Sequence, residues 1–440
     1  MDNRSSSSSN SDLQKRIFFT LAMLAVYRIG VHVPTPGIDG PAVLKFFESQ
    51  SRGIFGLFNT FTGGALSQFS VFALGIMPYI SASIIFQLLS SAIPYLESLK
   101  KEGEHGRRKI NQYTRYATVG LAIVQGYGIS QWLDSSPQGT ALVLAPFVGF
   151  LPFKIMAVIT LVAGTCFIMW LGEQITERGI GNGSSLIIFT GIAASIPSGA
   201  SRLFQLVSTD QMKFPVVLIV LAFMVVVIAG VIFMEVAQRR ITIQYSQRGG
   251  GGGANAMAAT TSHLPIKVNF SGVIPPIFAS SLLMFPATMA QFVQWPWLSA
   301  MQDSLNPAGT IYNIFFVGLI VFFSFFYTEI VFNPTDVAEN LKKHGGFIPG
   351  VRAGKSTAEY IQKILERVNV AGCVYLSIVC TLPVVLSNYL NLPFYFGGTS
   401  LLILVGVALD TSQQIQSHLI TQKYEGFLKG AKIRSRRVQF

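Results

Sequence analysis

The sequence predicts an all-α polytopic membrane protein, and three observations carry that prediction. Of its 440 residues 50% are hydrophobic and only 12% are charged, with a mean hydropathy of +0.50; a soluble domain carries about 25% charge. There is too little charge to coat a globular surface. The apolar residues gather in runs close to the roughly 20 residues that a helix needs to cross about 30 Å of hydrocarbon. The basic residues fall in alternate loops between those runs, as they do where Lys and Arg collect on the cytoplasmic side.

Taken in order, residues 1–16 form a Ser-rich polar tail, and the apolar run that follows continues too far for a cleavable signal peptide. Ten runs then read as spans, near Ile17–Val33, Val71–Ile93, Tyr116–Leu133, Phe153–Leu171, Ser184–Ile196, Phe214–Glu235, Val268–Ala290, Ile311–Val331, Val370–Asn388 and Thr399–Gln413. The fifth is short, and Pro78 in the second predicts a break or kink within the membrane. Residues 417–440 form a second polar tail.

With the N-terminus in the cytoplasm, 25 Lys and Arg residues fall on that side. The opposite loops hold only Lys45, Arg52, Arg202 and Lys213. An even number of spans with both termini cytoplasmic follows, and the net charge of +12 is mainly topological rather than a nucleic-acid footprint. Two basic cytoplasmic loops, 236–267 and 334–368, are long enough to be functional. On the other side Pro34–Ser70 is glycine-rich, moderately apolar and too interrupted to span. A re-entrant segment is the alternative, allowed where protein or water covers its backbone.

The pattern excludes most chemistry. No span centre pairs ionisable groups, because Glu173, Glu235, Glu329 and Asp410 lie at or near span ends; an ion-coupled carrier needs such groups at midplane. Arg28 and His32 flank the outer end of the first span and read as snorkelling side chains. The five histidines are scattered, with neither HExxH nor GxSxG. Cys166, Cys373 and Cys380 sit in apolar runs and suggest neither a disulfide framework nor zinc. No catalytic residue, metal or cofactor is expected. The GIGNGSS string from Gly179 looks like a phosphate loop only superficially, since no Lys follows and no strand precedes; it reads as a helix start with close backbone approach. A channel, a secondary transporter of small solutes and a poreless scaffold remain as classes.

Specific strings narrow them: YRIGVHVPTPGID at Tyr27, FALGIMPYISASIIFQLL at Phe72, ITERGIGNG at Ile175, TSHLPIKVNFSGVIPPIF at Thr261, NPTDVAENLKKHGGFIPGVRAGKSTAEYI at Asn333 and FYFGGTSLLILV at Phe394. In this order, and over nearly the whole chain, they resemble the SecY family, the central subunits of bacterial protein-translocation channels.

That resemblance implies two pseudo-symmetric halves, spans 1–5 (residues 17–200) and 6–10 (residues 214–416), around a central pore with a plug. It implies a pore ring of Ile80, Ile84, Ile188, Ile277 and Ile403, apolar side chains that dewet a narrow neck yet yield to a passing chain. It assigns the plug to residues 57–70, with Leu57, Phe58, Phe61, Gly63, Gly64 and Leu66, and a lateral gate to spans two and seven. The cargo is unfolded polypeptide bearing a signal sequence, with hydrophobic segments released sideways into membrane lipid. Implied partners are SecE and SecG subunits, the SecA ATPase and the ribosome, with no direct DNA binding, in the bacterial plasma membrane. Partner contacts fall to Arg352, Lys342, Lys343, Lys355, Arg239, Arg240 and Arg248. Three departures stand out: Ser184 where the family is usually apolar, Ala353 where a proline is common, and Gly249–Gly253 where relatives carry a basic, structured loop tip. Five consecutive glycines behave as a flexible linker.

Overall fold

The computed structural model describes residues 4–49, 54–135, 142–143, 147–148, 151–209, 214–245, 260–292, 309–390 and 398–430. In chain order the elements are α1 (Arg4–Val31), α2 (Gly40–Ser49), α3 (Ile54–Phe61), α4 (Met77–Ala92), α5 (Pro94–Lys101), α6 (Glu104–Ser135), β1 (Phe147–Val148), β2 (Leu151–Pro152), α7 (Phe153–Arg178), α8 (Gly183–Ser208) and α9 (Phe214–Val236). Then come β3 (Gln238–Tyr245), β4 (Thr260–Lys267), α10 (Ile274–Phe292), α11 (Thr310–Val331), α12 (Pro334–Lys343), β5 (Gly346–Phe347), α13 (Lys355–Leu390) and α14 (Gly398–Gly430).

Each of the ten predicted runs falls wholly or mainly on a helix. Among the described residues, five helices are long and apolar enough on their own to cross a membrane, and α4 with α5 makes a sixth if that bent pair is one span. The other runs lie on α1, α6, α10 and α14. Of these α1, α6 and α14 continue into polar sequence, and α10 begins only at Ile274. The ten-span count fits this pattern and rests on the sequence.

The second span departs from expectation. Residues 71–76 are turns, and the helix starts at Met77, so Pro78 sits in the first turn, where its missing N–H removes no helical bond. The break comes instead at Ile93, extended at φ −103° and ψ 118° ahead of Pro94; α4 and α5 meet there at 98°. A residue before proline avoids the helical region, which is why the bend falls there.

The described residues divide into two compact units, one drawn from 1–82, 112–200 and 403–440 and the other from 83–111 and 201–402. Within the first, α7 packs on α1. α7 buries a stripe of residues, Phe153, Ala157, Leu161, Gly164, Ile168, Leu171 and Ile175, at the three- and four-residue spacing of one helical face, with Gly164 against Val71 and Leu161 against Gly126 of α6. Ile155, Ile159, Phe167 and Trp170 are apolar yet exposed, as befits a surface turned to lipid.

In the second unit α11 packs on both α10 and α13. The basic loops are not irregular there but fold into a sheet of order β4-β3-β5, which the all-α expectation did not include. β3 pairs antiparallel with β4 from Gln238↔Lys267 to Tyr245↔Thr260, and β5 pairs with Gln244 and Tyr245. Alternation sends Ile241 and Ile243 inward and Arg240 and Thr242 outward. Ile241 and Ile266 then meet Ile348, Ile361, Ile364, Leu365 and Val368 in a small core of their own.

Candidate functional site

The predicted ring residues lie on four helices. Ile80 and Ile84 are one turn apart on α4 and share a face. Ile188 is on α8, Ile277 on α10 and Ile403 on α14. All five are buried, from 0% exposed at Ile403 to 7% at Ile80 and Ile277. Ser184, one turn before Ile188, donates its hydroxyl to Asn182 Oδ1 at 2.7 Å. That hydroxyl is engaged at the helix start.

The predicted plug is a helix for only part of its length. α3 ends at Phe61 in a Schellman cap: Gly64 N donates to Asn59 O and Gly63 N to Thr60 O, with Gly63 left-handed at φ 67°. Turns then run to Ile76. Phe58, Phe61, Leu66 and Phe69 are buried; Leu57 lies on α3, with its side chain outside the described residues. The turns are tied down from several directions. Asn59 Oδ1 accepts from Ser67 N at 2.9 Å, while Thr35 N donates to Phe69 O and Val71 N to Val33 O. Tyr27 Oη donates to Thr62 O at 3.0 Å, and Arg28 Nη1 to Gly63 O at 2.9 Å. His32 Nδ1 lies 3.1 Å from Gln68 Oε1. Arg28 and His32 therefore do not snorkel; they hold the segment.

The glycine loop before α8 is a junction. Ile180 N donates to Thr20 Oγ1, Gly181 N to Gln414 Oε1 and Gly183 N to Thr176 Oγ1. The N–H groups an anion would need are thus satisfied by α1, α14 and α7. A Cβ at residue 183 would collide with the Gly172 carbonyl, so the glycine permits close helix approach.

Six of the partner-contact candidates lie among the described residues, on and beside the β4-β3-β5 sheet. Arg239 and Arg240 stand exposed on β3, Lys342 and Lys343 end α12, and Lys355 opens α13. Arg352 is exposed in a turn between Gly350 and Gly354, both left-handed, and its carbonyl accepts from Thr357 Oγ1 at 2.8 Å. Arg248 and Gly249–Gly253 lie outside the described residues.

Two polar features had no local signal in the sequence. Arg115 on α6 forms a bidentate pair with Glu173 on α7, both bonds 2.8 Å. In the second unit Asn269 Nδ2 donates to Glu235 Oε1 at 2.6 Å, and Ser324 donates to Asn369 Oδ1. Among the described residues no three His, Cys, Asp or Glu side chains gather as a metal site.

Multi-pass apolar helices, a buried turn segment between the first two spans and a basic platform define a polytopic membrane protein. The family follows from comparison. A SecY family model matches residues 70–412, and the protein translocase subunit SecY of Escherichia coli strain K12 is 46% identical over 438 residues, 99% of this chain and 98% of that one. The chain belongs to the SecY family. Solved structures agree on the fold. A SecY translocation channel, described for a plug domain that stabilises its closed state, matches with a TM-score of 0.67 at 16% identity over 94% of both chains. Sec61 in the canine ribosome–channel complex matches at 0.65 and 16% identity, again over 94% of both.

Proposed function

We propose that this chain is the protein-conducting subunit of a translocase, passing unfolded secretory polypeptides across the membrane and releasing hydrophobic segments into lipid. It is a channel and not an enzyme. The observation that carries the reading is the segment from Phe61 to Ile76, a buried, glycine-marked run of turns between two spans, where ordinary loops run over the surface. Residues 57–70 are its plug, and Ile80, Ile84, Ile188, Ile277 and Ile403 form its constriction. The halves 17–200 and 214–416 surround the pore, and spans two and seven form the lateral exit. A secondary transporter is disfavoured by the family and by the absence of ionisable pairs at span centres.

Both termini face the cytoplasm of a bacterial cell and the channel lies in the plasma membrane, as the distribution of Lys and Arg supports. SecA or the ribosome docks on Arg352, Lys342, Lys343, Lys355, Arg239, Arg240 and Arg248, with SecE and SecG as accessory subunits. The ribosome reading draws support from the canine Sec61 complex. The ring is tested by Ile80→Asn combined with Ile403→Asn in reconstituted vesicles. Ion leak should rise as the neck wets. An unchanged leak would remove these residues from the constriction.

A further inference from the structure

Three contacts converge on residues 61–63, where α3 gives way to turns. Tyr27 reaches Thr62 O and Arg28 reaches Gly63 O, from positions 35 residues earlier in the chain. Gly191 on α8 closes the third side. A Cβ there would lie 2.9 Å from Phe61 O and 3.1 Å from Gly63 N, and one on Gly63 would lie 2.6 Å from Gly191 Cα. These backbones touch with no room for a side chain. Tyr27 also stacks on Phe72, with centroids 6.0 Å apart and planes at 10°, so one residue touches the turn run at Thr62 and again ten residues on. Phe72 in turn stacks on Phe167 of α7. Among the described residues no carboxylate pairs with Arg28, which spends its reach on a carbonyl.

We propose that Tyr27, Arg28 and Gly191 are a latch that seats this segment, and that latch strength sets how readily the channel admits a polypeptide with a defective signal sequence. The proposal rests on the reading of residues 57–70 as the plug. The ring resists flow wherever the segment sits, whereas the latch sets the fraction of time the segment leaves its seat. It acts at the head of the stretch: two donors and one backbone contact meet residues 61–63, while other bonds fix the chain further on at Ser67, Phe69 and Val71. Each donor bond is buried or half-buried, so its loss shifts the seated–unseated balance by about three- to tenfold. The three residues are positioning residues and touch no cargo.

The test uses the full chain with its accessory subunits in vesicles, carrying Tyr27→Phe, Arg28→Met or Gly191→Ala. Tyr27→Phe removes one hydroxyl and keeps the ring on Phe72, so it isolates the hydrogen bond without a fold change. Each variant should raise resting ion leak and passage of a defective-signal precursor by about three- to tenfold. The same substitutions should add nothing in a channel lacking Leu57–Ser70, because they act through that segment. Wild-type leak and rejection in all three variants would overturn the latch, as would an equal rise in the deleted channel. The plug reading fails separately if the deletion alone leaves resting leak unchanged.

Discussion

The segment between the first two spans and the basic platform are both excursions from the membrane helices, yet they are built differently. The platform has its own sheet and a core of Ile241, Ile266, Ile348, Ile361, Ile364, Leu365 and Val368. The segment buries Phe58, Phe61, Leu66, Phe69 and Leu74 as well, but past its one helix of 8 residues it has no regular structure, and its turns are fixed by hydrogen bonds from α1 and by the Gly63–Gly191 approach. A core spreads stability over many contacts and resists displacement. On the proposed reading the platform is the docking surface and the segment is the plug, whose turns depend on polar ties as well as on buried side chains.

The largest effect is expected where the platform is broken. Ile361→Ala, at a position with 0% exposure, should cost about 2–5 kcal/mol and open the β3–β4 hairpin to limited proteolysis. Resistance equal to wild type would deny the platform its core. Next, Arg352→Glu should cripple SecA- or ribosome-driven translocation, and Arg352→Lys should impair it too, since an ammonium cannot reproduce a planar bidentate fork. Both should keep the platform's proteolytic pattern; full translocation by the Glu variant counts against the docking assignment.

On the segment itself, Asn59→Ala removes the acceptor for Ser67 N and should cost about 1–2 kcal/mol. Hydrogen exchange should quicken from Thr62 to Ser70 while β3 stays protected. The smallest effect belongs to the exposed Glu97–Lys101 pair on α5. The hydrogen bond from Lys101, then its charge, holds the Glu97 carboxyl below the usual carboxylate range. A depressed carboxylate adds stability above its unfolded pKa and loses it as pH falls through the folded one. Lys101→Ala should therefore raise the Glu97 titration midpoint, with melting at neutral pH nearly unchanged because the pair is solvated.

Much of the fold was legible because composition and hydropathy speak directly in a membrane: each apolar run found a helix. The sheet was not read, although ITIQY alternates apolar and polar as a half-buried strand does: the strands are short, and their core comes from residues about a hundred positions further on. The Schellman cap at Gly63 could have been read from FNTFTGG, and it explains why the helix stops at Phe61 rather than continuing to Ser70. Arg28 was misread because snorkelling and a bond to a distant carbonyl look alike in one dimension. The ring positions came from family resemblance alone, because an isoleucine on a membrane helix carries no mark of what it faces.

The account stands most directly on whether residues 57–70 close a pore. Single-channel recording of the reconstituted complex with Leu57–Ser70 deleted should show resting conductance that the intact channel lacks. A channel that stays silent at rest after the deletion, at normal abundance and with translocation intact, would contradict it.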